Sequence, residues 1–380
     1  MQKPVILFLM RFHSLKQGSF EQFLILLSQK LKTQYRFVFV FSKLPPVWLS
    51  RALLKSNSEI DNIELKTSLR SLFLFNKLLH KYKPKIIHFH FFSLLTPYVL
   101  FVKIRYPIKI IFHIHAIIPY NKGANLLNSL LIPIRKYLAV QTIDLAISVS
   151  KFVKEKTLEY FSFSESKIVT IYNGLKELKG KHNEQLRKKF LNEWNISHSS
   201  FLIIAGGWLT KLKGVDILIR SLVLVQEHSK RGFFLTIIGD GPERGNLENL
   251  ILELGLSKKI KFLGWRNDVP DILTVSDLVI VPSVVEEAFP YFILEAMRAE
   301  RPVIASDIGG IPELVDSEPK SGLLFPPGNI KKLAECIIQM MDNPITCQLY
   351  GSCAVQKSIS LFNINSQIRN LDKVYKKLSG

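Results

Sequence analysis

The chain has 380 residues, 47% of them hydrophobic and 22% charged, and a formal net charge of +20. This length allows two domains with a core each, and the hydrophobic content excludes an intrinsically disordered protein. The three cysteines lie late in the chain without a C-x-x-C spacing, which argues against a disulfide framework and a cysteine-based zinc site. No apolar run reaches the roughly 18 residues that a membrane span needs.

The positive charge is concentrated in the first half of the chain. Residues 1–180 carry 27 Lys and Arg against 9 Asp and Glu, whereas residues 181–380 carry 24 against 22. A basic surface attracts polyanions, either nucleic acid or the anionic face of a membrane. Because no nucleic-acid-binding motif accompanies the charge, we expect an anionic membrane surface as a partner and no nucleic acid. A lysine-rich surface that serves only solubility is the alternative.

Short runs of β-branched and aromatic residues alternate with amphipathic helical patterns along the chain. The first run, residues 5–9, is short and ends before Arg11 without a small-residue cleavage site, so it predicts a buried strand and not a signal peptide. In the first half the pattern predicts strands at residues 5–9, 35–41, 85–91, 108–115, 145–150 and 168–174, and helices at residues 19–32, 69–82, 124–139 and 151–160.

The second half repeats the alternation of strands and helices. Its strands are predicted at residues 201–207, 233–239, 259–264, 278–283, 302–306 and 322–325. Continuous apolar strands between helices are typical of parallel sheets that are covered on both faces. The sequence therefore predicts an α/β protein with two doubly wound, Rossmann-like domains and an interdomain cleft.

A charged stretch without a strand pattern, residues 174–198, marks the expected domain boundary. We predict an N-terminal domain over residues 1–175 and a second domain over residues 176–360. The last segment, residues 361–380, contains a helical pattern at residues 366–378.

The segment from Pro282 to Glu313, PSVVEEAFPYFILEAMRAERPVIASDIGGIPE, is the most informative part of the chain. Within it, Glu287 and Glu295 lie eight residues apart across a predicted junction of loop and helix. Phosphorylated ligands bind where the carboxyl ends of strands meet the amino ends of helices, and carboxylates there accept hydrogen bonds from sugar or ribose hydroxyls. Glu295 is also predicted at the start of a helix, where the helix dipole favours an anion.

The sequence around these two residues resembles a known family. The segment is similar to the E-x7-E region of retaining glycosyltransferases of family 4, which have the GT-B fold. The likeness continues in four further motifs: GGWLTKLKGVDILIRSL at 206–222, IIGDGPERGNLENL at 237–250, FLGWRNDVPDILTVSDLVIVPS at 262–283 and SGLLFPPGN at 321–329. The resemblance implies two GT-B domains, no bound metal or other cofactor, and a C-terminal helix within residues 361–380 that crosses back to the N-terminal domain.

The resemblance also implies roles for residues of the second half. Glu287 is expected to contact the donor sugar and Glu295 to bind the nucleotide ribose. Lys213 is expected to pair with the donor diphosphate, because a fixed cation stabilises the charge that builds on the departing nucleotide diphosphate. Glu286 is an adjacent alternative for the first role, although the spacing favours Glu287.

Two neighbours of Glu287 depart from the family pattern. Ala288 replaces the usual glycine, and Pro290 removes a backbone N–H that a phosphate or hydroxyl would use. We therefore expect the contacts of Phe289 and Tyr291 with the donor to differ from those of the family.

The most serious departure lies five residues before Lys213, where the family normally has an arginine and this chain has Trp208. An indole ring does not replace a guanidinium group at a diphosphate. Lys211 is the residue expected to compensate. Trp265 and Arg266 resemble the loop that receives the nucleotide base, although plain packing would also explain Trp265.

In the first half, Gly18 belongs to a stretch that resembles the first-domain glycine loop before the first helix, with one of the two usual glycines. We predict that Gly18 contributes to substrate binding, with a simple turn residue as the alternative.

Four histidines end two neighbouring predicted strands. The resemblance places His115 opposite the donor sugar and its phosphate, as a catalytic residue. His88, His90 and His113 repeat at a spacing of two residues. Such a set suggests metal ligands, but strand alternation explains the spacing equally well. Because the resemblance also implies no bound metal, we predict none here, and structural or acceptor-side roles for these three.

The resemblance implies a retaining hexosyltransferase with a nucleotide-sugar donor and a glycan or glycolipid acceptor, either lipid-linked or part of a lipopolysaccharide, capsule or exopolysaccharide. The acceptor is expected on the basic first domain. The apolar, basic segment 116–140 would lie in a membrane interface or form a core helix. We expect a cytoplasmic protein that is peripheral on the inner face of the cell membrane. A nucleotide-sugar epimerase of the same architecture, or a non-catalytic family member because of Trp208, remain as alternatives.

Overall fold

The computed structural model describes residues 3–11, 18–66, 68–116, 126–176 and 184–380. The chain divides into two compact units. Unit 1 consists of Met1–Tyr172 and Ile364–Gly380, and unit 2 consists of Asn173–Asn363. Each unit contains one parallel sheet flanked by helices, which confirms the predicted α/β fold class.

Unit 1 is built on a seven-stranded sheet in the order β3-β2-β1-β4-β5-β6-β7. Its strands are β1 (Val5–Met10), β2 (Arg36–Phe41), β3 (Glu59–Asn62), β4 (Ile86–His90), β5 (Lys109–Ile114), β6 (Leu145–Ser148) and β7 (Ile168–Thr170). Its helices are α1 (Ser19–Leu31), α2 (Val47–Leu54), α3 (Leu69–Tyr82), α4 (Pro97–Arg105), α5 (Leu126–Thr142), α6 (Lys151–Phe161) and, from the end of the chain, α15 (Ile364–Ser379). No helix in the described part of the chain is both long and apolar enough to cross a membrane.

The core of unit 1 forms because its central strands are apolar on both faces, as parallel strands covered by helices must be. Every residue of β1, VILFLM, is buried. The last helix, α15, contributes Ile368, Leu371 and Tyr375 to the same hydrophobic cluster as Phe8 of β1. Residues near the end of the chain therefore complete a core that begins at its start.

Unit 2 is built on a six-stranded sheet in the order β10-β9-β8-β11-β12-β13. Its strands are β8 (Phe201–Gly206), β9 (Phe233–Ile238), β10 (Ile260–Gly264), β11 (Leu278–Val281), β12 (Val303–Ser306) and β13 (Gly322–Phe325). Its helices are α7 (Glu184–Trp194), α8 (Val215–His228), α9 (Arg244–Glu253), α10 (Val269–Val275), α11 (Tyr291–Arg298), α12 (Ile311–Val315), α13 (Ile330–Asp342) and α14 (Pro344–Ser360).

Both sheets have the same winding. In each unit the chain starts in the middle of the sheet, proceeds to one edge, and returns to pair with the other side of its first strand, so β1 neighbours β4 and β8 neighbours β11. Ligands of doubly wound sheets bind beyond the carboxyl ends of the strands at such a switch point. The topology therefore predicts that ligands bind at the loops after β8 and β11 in unit 2, and at the loops after β1 and β4 in unit 1.

The sequence did not predict β3. Its four residues, EIDN, are polar or charged except for one isoleucine, and they pair with β2 alone. An edge strand is partly solvated and does not need the apolar residues of a central strand. The structure also corrects the position of Glu295, which was expected at a helix start. It is the fifth residue of α11, beyond the first turn in which the helix dipole acts on a charge.

Candidate functional site

The loops after β8 and β11 bring Glu287 and Lys213 into direct contact. The Lys213 Nζ atom lies 2.5 Å from Oε1 of Glu287, and the two side chains are 34% and 16% exposed. The hydroxyl of Ser283 donates a hydrogen bond of 2.7 Å to the same oxygen. A cation and a carboxylate are therefore fixed next to each other at the switch point of unit 2, and both remain open to solvent.

Backbone contacts hold these two loops together. The amide of Val284 donates a 3.0 Å hydrogen bond to the carbonyl oxygen of Leu212. Gly214 has a φ of +63° and approaches so closely that a Cβ atom there would lie 2.0 Å from the carbonyl oxygen of Pro282. A glycine directly after Lys213 thus allows the lysine loop to lie against the end of β11.

A second glycine supports Glu287 from the other side. Gly309, in the turn before α12, has a φ of +64°, and a Cβ atom there would lie 2.6 Å from the backbone oxygen of Glu287. The amide of Gly310 donates a 2.8 Å hydrogen bond to that same oxygen. The Gly-Gly turn of the sequence motif therefore positions the backbone of Glu287.

The other predicted donor residues of this region differ in exposure. Phe289 is 6% exposed, and its ring packs edge-to-face on Phe362 at a centroid distance of 5.3 Å. Tyr291 and Glu295, on α11, are half-buried. The roles of Phe289, Tyr291 and Glu295 toward a donor stay predictions, and the contact of Phe289 with Phe362 gives its ring a packing role in addition.

The loops after β8 and β10 place two tryptophans face to face. The rings of Trp208 and Trp265 are stacked, with centroids 5.9 Å apart and planes inclined by 21°. Their exposed fractions are 55% and 49%, so about half of this aromatic pair faces solvent. Lys211, in the short 3-10 turn Lys211–Lys213, is exposed. At the position where the family resemblance led us to expect an arginine, this chain therefore presents an open indole pair.

Arg266 lies next to Trp265 and already has a local partner. Its Nε and NH2 groups donate hydrogen bonds of 2.8 and 2.6 Å to the two carboxylate oxygens of Asp268. This fork raises the pKa of Arg266 above its usual value and lowers the pKa of Asp268. The predicted role of Arg266 in base binding therefore competes with a bidentate ion pair that stabilises its own loop.

In unit 1, Gly18 is tied to the helix that follows it. Its amide donates a 3.1 Å hydrogen bond to Oε2 of Glu21, a carboxylate in the first turn of α1. The Glu21 carboxylate thus satisfies a backbone donor at the start of the helix. A contribution of Gly18 to substrate binding stays a prediction beside this structural role.

His115 follows β5 directly and lies among aromatic rings. Its ring stacks on Phe91 at a centroid distance of 4.3 Å, and its Nε2 atom lies 2.9 Å from Nδ1 of His90. Burial lowers the pKa of His115 to about 3. The imidazole is therefore neutral near pH 7 and is able to hydrogen-bond a ligand without bringing a charge.

The other three histidines of the set are more deeply buried than His115. His88 and His90 are fully buried on β4, and His113 is 3% exposed on β5. Burial holds the pKa of each of the three well below the usual value for histidine. The structure therefore brings all four sequence-predicted histidines together at the carboxyl edge of the unit 1 sheet.

Two features of these sites were not predicted from the sequence. Ser283 was not singled out, although it follows β11 by two residues and precedes Glu287 by four. The hydrogen bond between His90 and His115 was not foreseen either, although both residues end neighbouring strands.

Comparisons with known proteins assign the family. The sequence profile described as glycosyl transferases group 1 matches residues 187–355, and that described as Glycosyltransferase Family 4 matches residues 23–177. The chain belongs to glycosyltransferase family 4. The two profiles together include every motif of unit 2 described above, and most of unit 1.

Curated relatives match the chain over part of its length. An uncharacterized glycosyltransferase of Methanocaldococcus jannaschii is 32% identical over 50% of this chain and 49% of its own length. An Escherichia coli UDP-Gal:α-D-GlcNAc-diphosphoundecaprenol α-1,3-galactosyltransferase is 32% identical over 37% of this chain and 35% of its own. The chain thus spans about half or less of the length of these relatives.

Solved structures match the chain over its whole length. A glycosyltransferase from Rickettsia africae has a TM-score of 0.81 at 23% identity and covers 100% of this chain and 99% of its own. The Anabaena protein HepE in complex with UDP has a TM-score of 0.80 at 21% identity and covers 99% of this chain and 100% of its own. Identity this low shows the fold alone, and that fold is the predicted GT-B fold.

Proposed function

We propose that this family 4 member transfers a hexose from a nucleotide diphosphate donor to a hydroxyl group of a lipid-linked or polysaccharide acceptor, with retention. The observation that supports this most is the Lys213–Glu287 pair at the switch point of unit 2. In this proposal Lys213 neutralises the diphosphate and Glu287 accepts a hydrogen bond from the sugar.

The proposed reaction breaks the bond between the sugar C1 atom and the diphosphate oxygen. A new bond forms between C1 and the acceptor oxygen on the same face of the ring, and the acceptor proton moves to the departing phosphate. Lys213 stabilises the negative charge on that phosphate. Neutral His115 would hydrogen-bond the donor sugar, and Glu295 would bind the ribose.

A uridine nucleotide is the first donor to test. The E. coli relative is named for a UDP-Gal donor, and the HepE structures contain UDP or UDP-glucose. The stacked pair of Trp208 and Trp265 offers an aromatic surface for a base at the carboxyl edge of the unit 2 sheet.

The decisive experiment combines binding with turnover. UDP, GDP and ADP are first compared by thermal shift, because a ligand at 100 times its dissociation constant stabilises a protein by about 2.7 kcal/mol. Release of the nucleotide from the matching sugar donor is then measured for Lys213→Ala and Glu287→Ala. Each variant should lose activity by roughly 100-fold or more. Lys332→Ala, which breaks an exposed ion pair with Glu335 on α13, is the matched control and should behave as wild type.

Three outcomes would contradict the proposal. Wild-type turnover in both site variants would remove Lys213 and Glu287 from the reaction. Interconversion of the donor sugar without an acceptor would indicate an epimerase. Absence of turnover with every donor, together with no gain from Trp208→Arg, would favour the non-catalytic alternative.

We also propose that unit 1 binds the acceptor at an anionic membrane surface. The described part of α5 exposes four large apolar residues along one side, here called the α5 apolar face: Leu131, Ile134, Tyr137 and Leu138. Ile104, on the neighbouring helix α4, is 73% exposed. An apolar helix face within a strongly basic half of the chain is typical of a protein that lies on a membrane interface. The rest of the predicted interface segment, residues 117–125, lies outside the described residues.

A further inference from the structure

Three histidines of unit 1 share one buried face of the sheet. The strands β4 and β5 pair in parallel with His90 directly opposite His113, and His88 precedes His90 by two residues on the same face. All three are buried, with exposed fractions of 0%, 0% and 3%. Their rings are therefore removed from water, and their nitrogens depend on partners within the protein.

Four ring nitrogens of this cluster have no hydrogen-bond partner among the described residues. They are Nε2 of His88, Nε2 of His90, and both nitrogens of His113. Ring stacking does not satisfy them: His88 and His113 are nearly parallel at 11° with centroids 5.4 Å apart, which pairs their faces but not their edges. Buried polar atoms without a partner are rare and need an explanation, such as an ion that occupies their lone pairs.

The remaining nitrogens of the two β4 rings are hydrogen-bonded. Nδ1 of His88 lies 2.9 Å from the hydroxyl of Tyr375, and Nδ1 of His90 lies 2.9 Å from Nε2 of His115. Metal-binding histidines typically use one ring nitrogen for the ion and donate the other N–H to such an outer partner, which fixes the ring orientation. Both β4 histidines have this arrangement, with the Nε2 atoms left for a ligand.

One nitrogen from each of the three histidines lies within 4.8 Å of the other two. Zinc–nitrogen bonds of about 2.0–2.1 Å in a tetrahedral site require a closer set, so the three side chains would have to rotate toward one another when the ion binds. We propose that His88, His90 and His113 bind a transition-metal dication of the zinc type. The ligand set contains imidazole nitrogens and no carboxylate, a chemistry that suits zinc, cobalt, nickel or copper and not magnesium or calcium.

A cavity lies next to one of the three histidines. His113 and His115 both line this cavity of about 130 Å³, together with Phe91, Lys156 and Tyr160. In the proposal an ion would reach His113 from this cavity after the buried ring turns toward it, and a water molecule would supply a fourth ligand. This differs from the expectation of no bound metal that the family resemblance implied.

Metal binding would also orient His115. An ion on Nε2 of His90 leaves the proton of that ring on Nδ1, which then donates its hydrogen bond to Nε2 of His115. His115 in turn carries its own proton on Nδ1. This consequence rests on the proposed function, in which His115 faces the donor, whereas the metal site itself does not.

The test uses the full chain, without an affinity tag and after dialysis against a chelator. Cobalt(II) is titrated while visible absorption is recorded, and zinc is titrated by calorimetry. We expect one equivalent of metal per chain, a visible cobalt band of a tetrahedral site, and a rise in melting temperature with zinc but not with magnesium.

Two variants locate the site. His113→Phe should weaken zinc binding by more than about tenfold and remove the cobalt band. His198→Ala, which replaces an exposed histidine of unit 2, is the matched control and should keep one equivalent. If His113→Phe fails to fold by circular dichroism, His88→Gln is measured in its place against the same criterion.

The proposal is overturned if folded wild-type protein gives no cobalt band and no zinc heat, or if His113→Phe binds metal as wild type does. The assay contains no nucleotide, so its result is independent of donor binding. A protein that binds zinc but shows no shift with UDP, GDP or ADP would retain the metal site and lose the proposed donor site.

Discussion

Ser283 is buried, and its hydroxyl donates a hydrogen bond to Oε1 of Glu287, the same oxygen that contacts Lys213. In Ser283→Ala the carboxylate loses one of two partners and its fixed orientation. We expect turnover to fall roughly tenfold, which corresponds to about 1.4 kcal/mol, with a smaller change in donor binding. Steady-state kinetics check this. Ser321→Ala, which removes another buried hydroxyl of unit 2, is the control, and equal losses in both variants would mean that the effect is only structural.

Trp208 occupies the position at which the family resemblance led us to expect an arginine. A guanidinium there would add a second cation beside Lys213, so Trp208→Arg is expected to tighten nucleotide diphosphate binding and to make it more dependent on salt. Trp208→Ala removes the stacking on Trp265 without adding charge, and it should weaken binding. Titrations at low and high salt compare the two variants. If Trp208→Arg weakens binding as much as Trp208→Ala does, the indole itself binds the ligand and the missing arginine is not a defect.

Among the elements, the turn before α12 shows how backbone geometry supports the site. Gly309→Ala would place a methyl group 2.6 Å from the backbone oxygen of Glu287 at a φ of +64°. We expect a loss of stability of about 1–3 kcal/mol and a clear loss of turnover, because Glu287 must move. Gly245→Ala, in helix α9 with nothing within 4 Å of the added carbon, should instead stabilise the protein slightly. Thermal unfolding of both variants checks the contrast; a neutral Gly309→Ala would contradict it.

A buried lysine joins helices α14 and α12. The Lys357 ammonium group donates hydrogen bonds to the carbonyl oxygens of Leu314, at 3.0 Å, and of Ser317. Burial lowers the pKa of Lys357 from 10.5 to about 8. Between pH 8 and pH 10.5 the unfolded chain keeps a proton that the folded protein has released. The free energy of unfolding therefore increases as pH rises through this range, and it decreases as pH falls toward 8.

The expected contribution is at most roughly 3 kcal/mol. Lys357→Met should remove it, so the difference in unfolding free energy between wild type and variant should change between pH 8 and pH 10.5. Urea unfolding at several pH values measures this difference. Parallel pH profiles for the two proteins would show that Lys357 keeps its ordinary pKa in the fold.

For the molecule as a whole, the uneven charge has a measurable consequence. The first 180 residues hold 27 basic against 9 acidic side chains, and the α5 apolar face lies within them. We expect binding to vesicles of anionic lipid at low salt, weaker binding at high salt, and none to neutral vesicles. Ile134→Asp should reduce it, whereas Ile345→Asp, at a position of unit 2 that is 82% exposed against 57% for Ile134, should not. Co-sedimentation measures this, and equal binding of all three proteins would remove α5 from the interface.

Much of the fold could be predicted because buried parallel strands appear in the sequence as continuous apolar runs. The edge strand β3 was not predicted, because its sequence EIDN is not an apolar run. In the site, the motifs predicted Glu287 and Lys213 separately, but their contact joins loops 74 residues apart that only the strand order brings together. For Arg266 the motif predicted binding of the nucleotide base, but the sequence did not reveal that its guanidinium group pairs with Asp268, two residues later.

Unit 1 is made from two pieces of chain that are separated by the whole of unit 2. The second piece, α15, supplies Leu371 and Tyr375 to the core and the hydroxyl that bonds His88. On the ribosome these residues emerge only after every residue of unit 2 has been synthesised. Until then the hydrophobic surface of unit 1 that α15 covers stays exposed. Unit 1 is therefore translated first, but its core is completed only after that of unit 2.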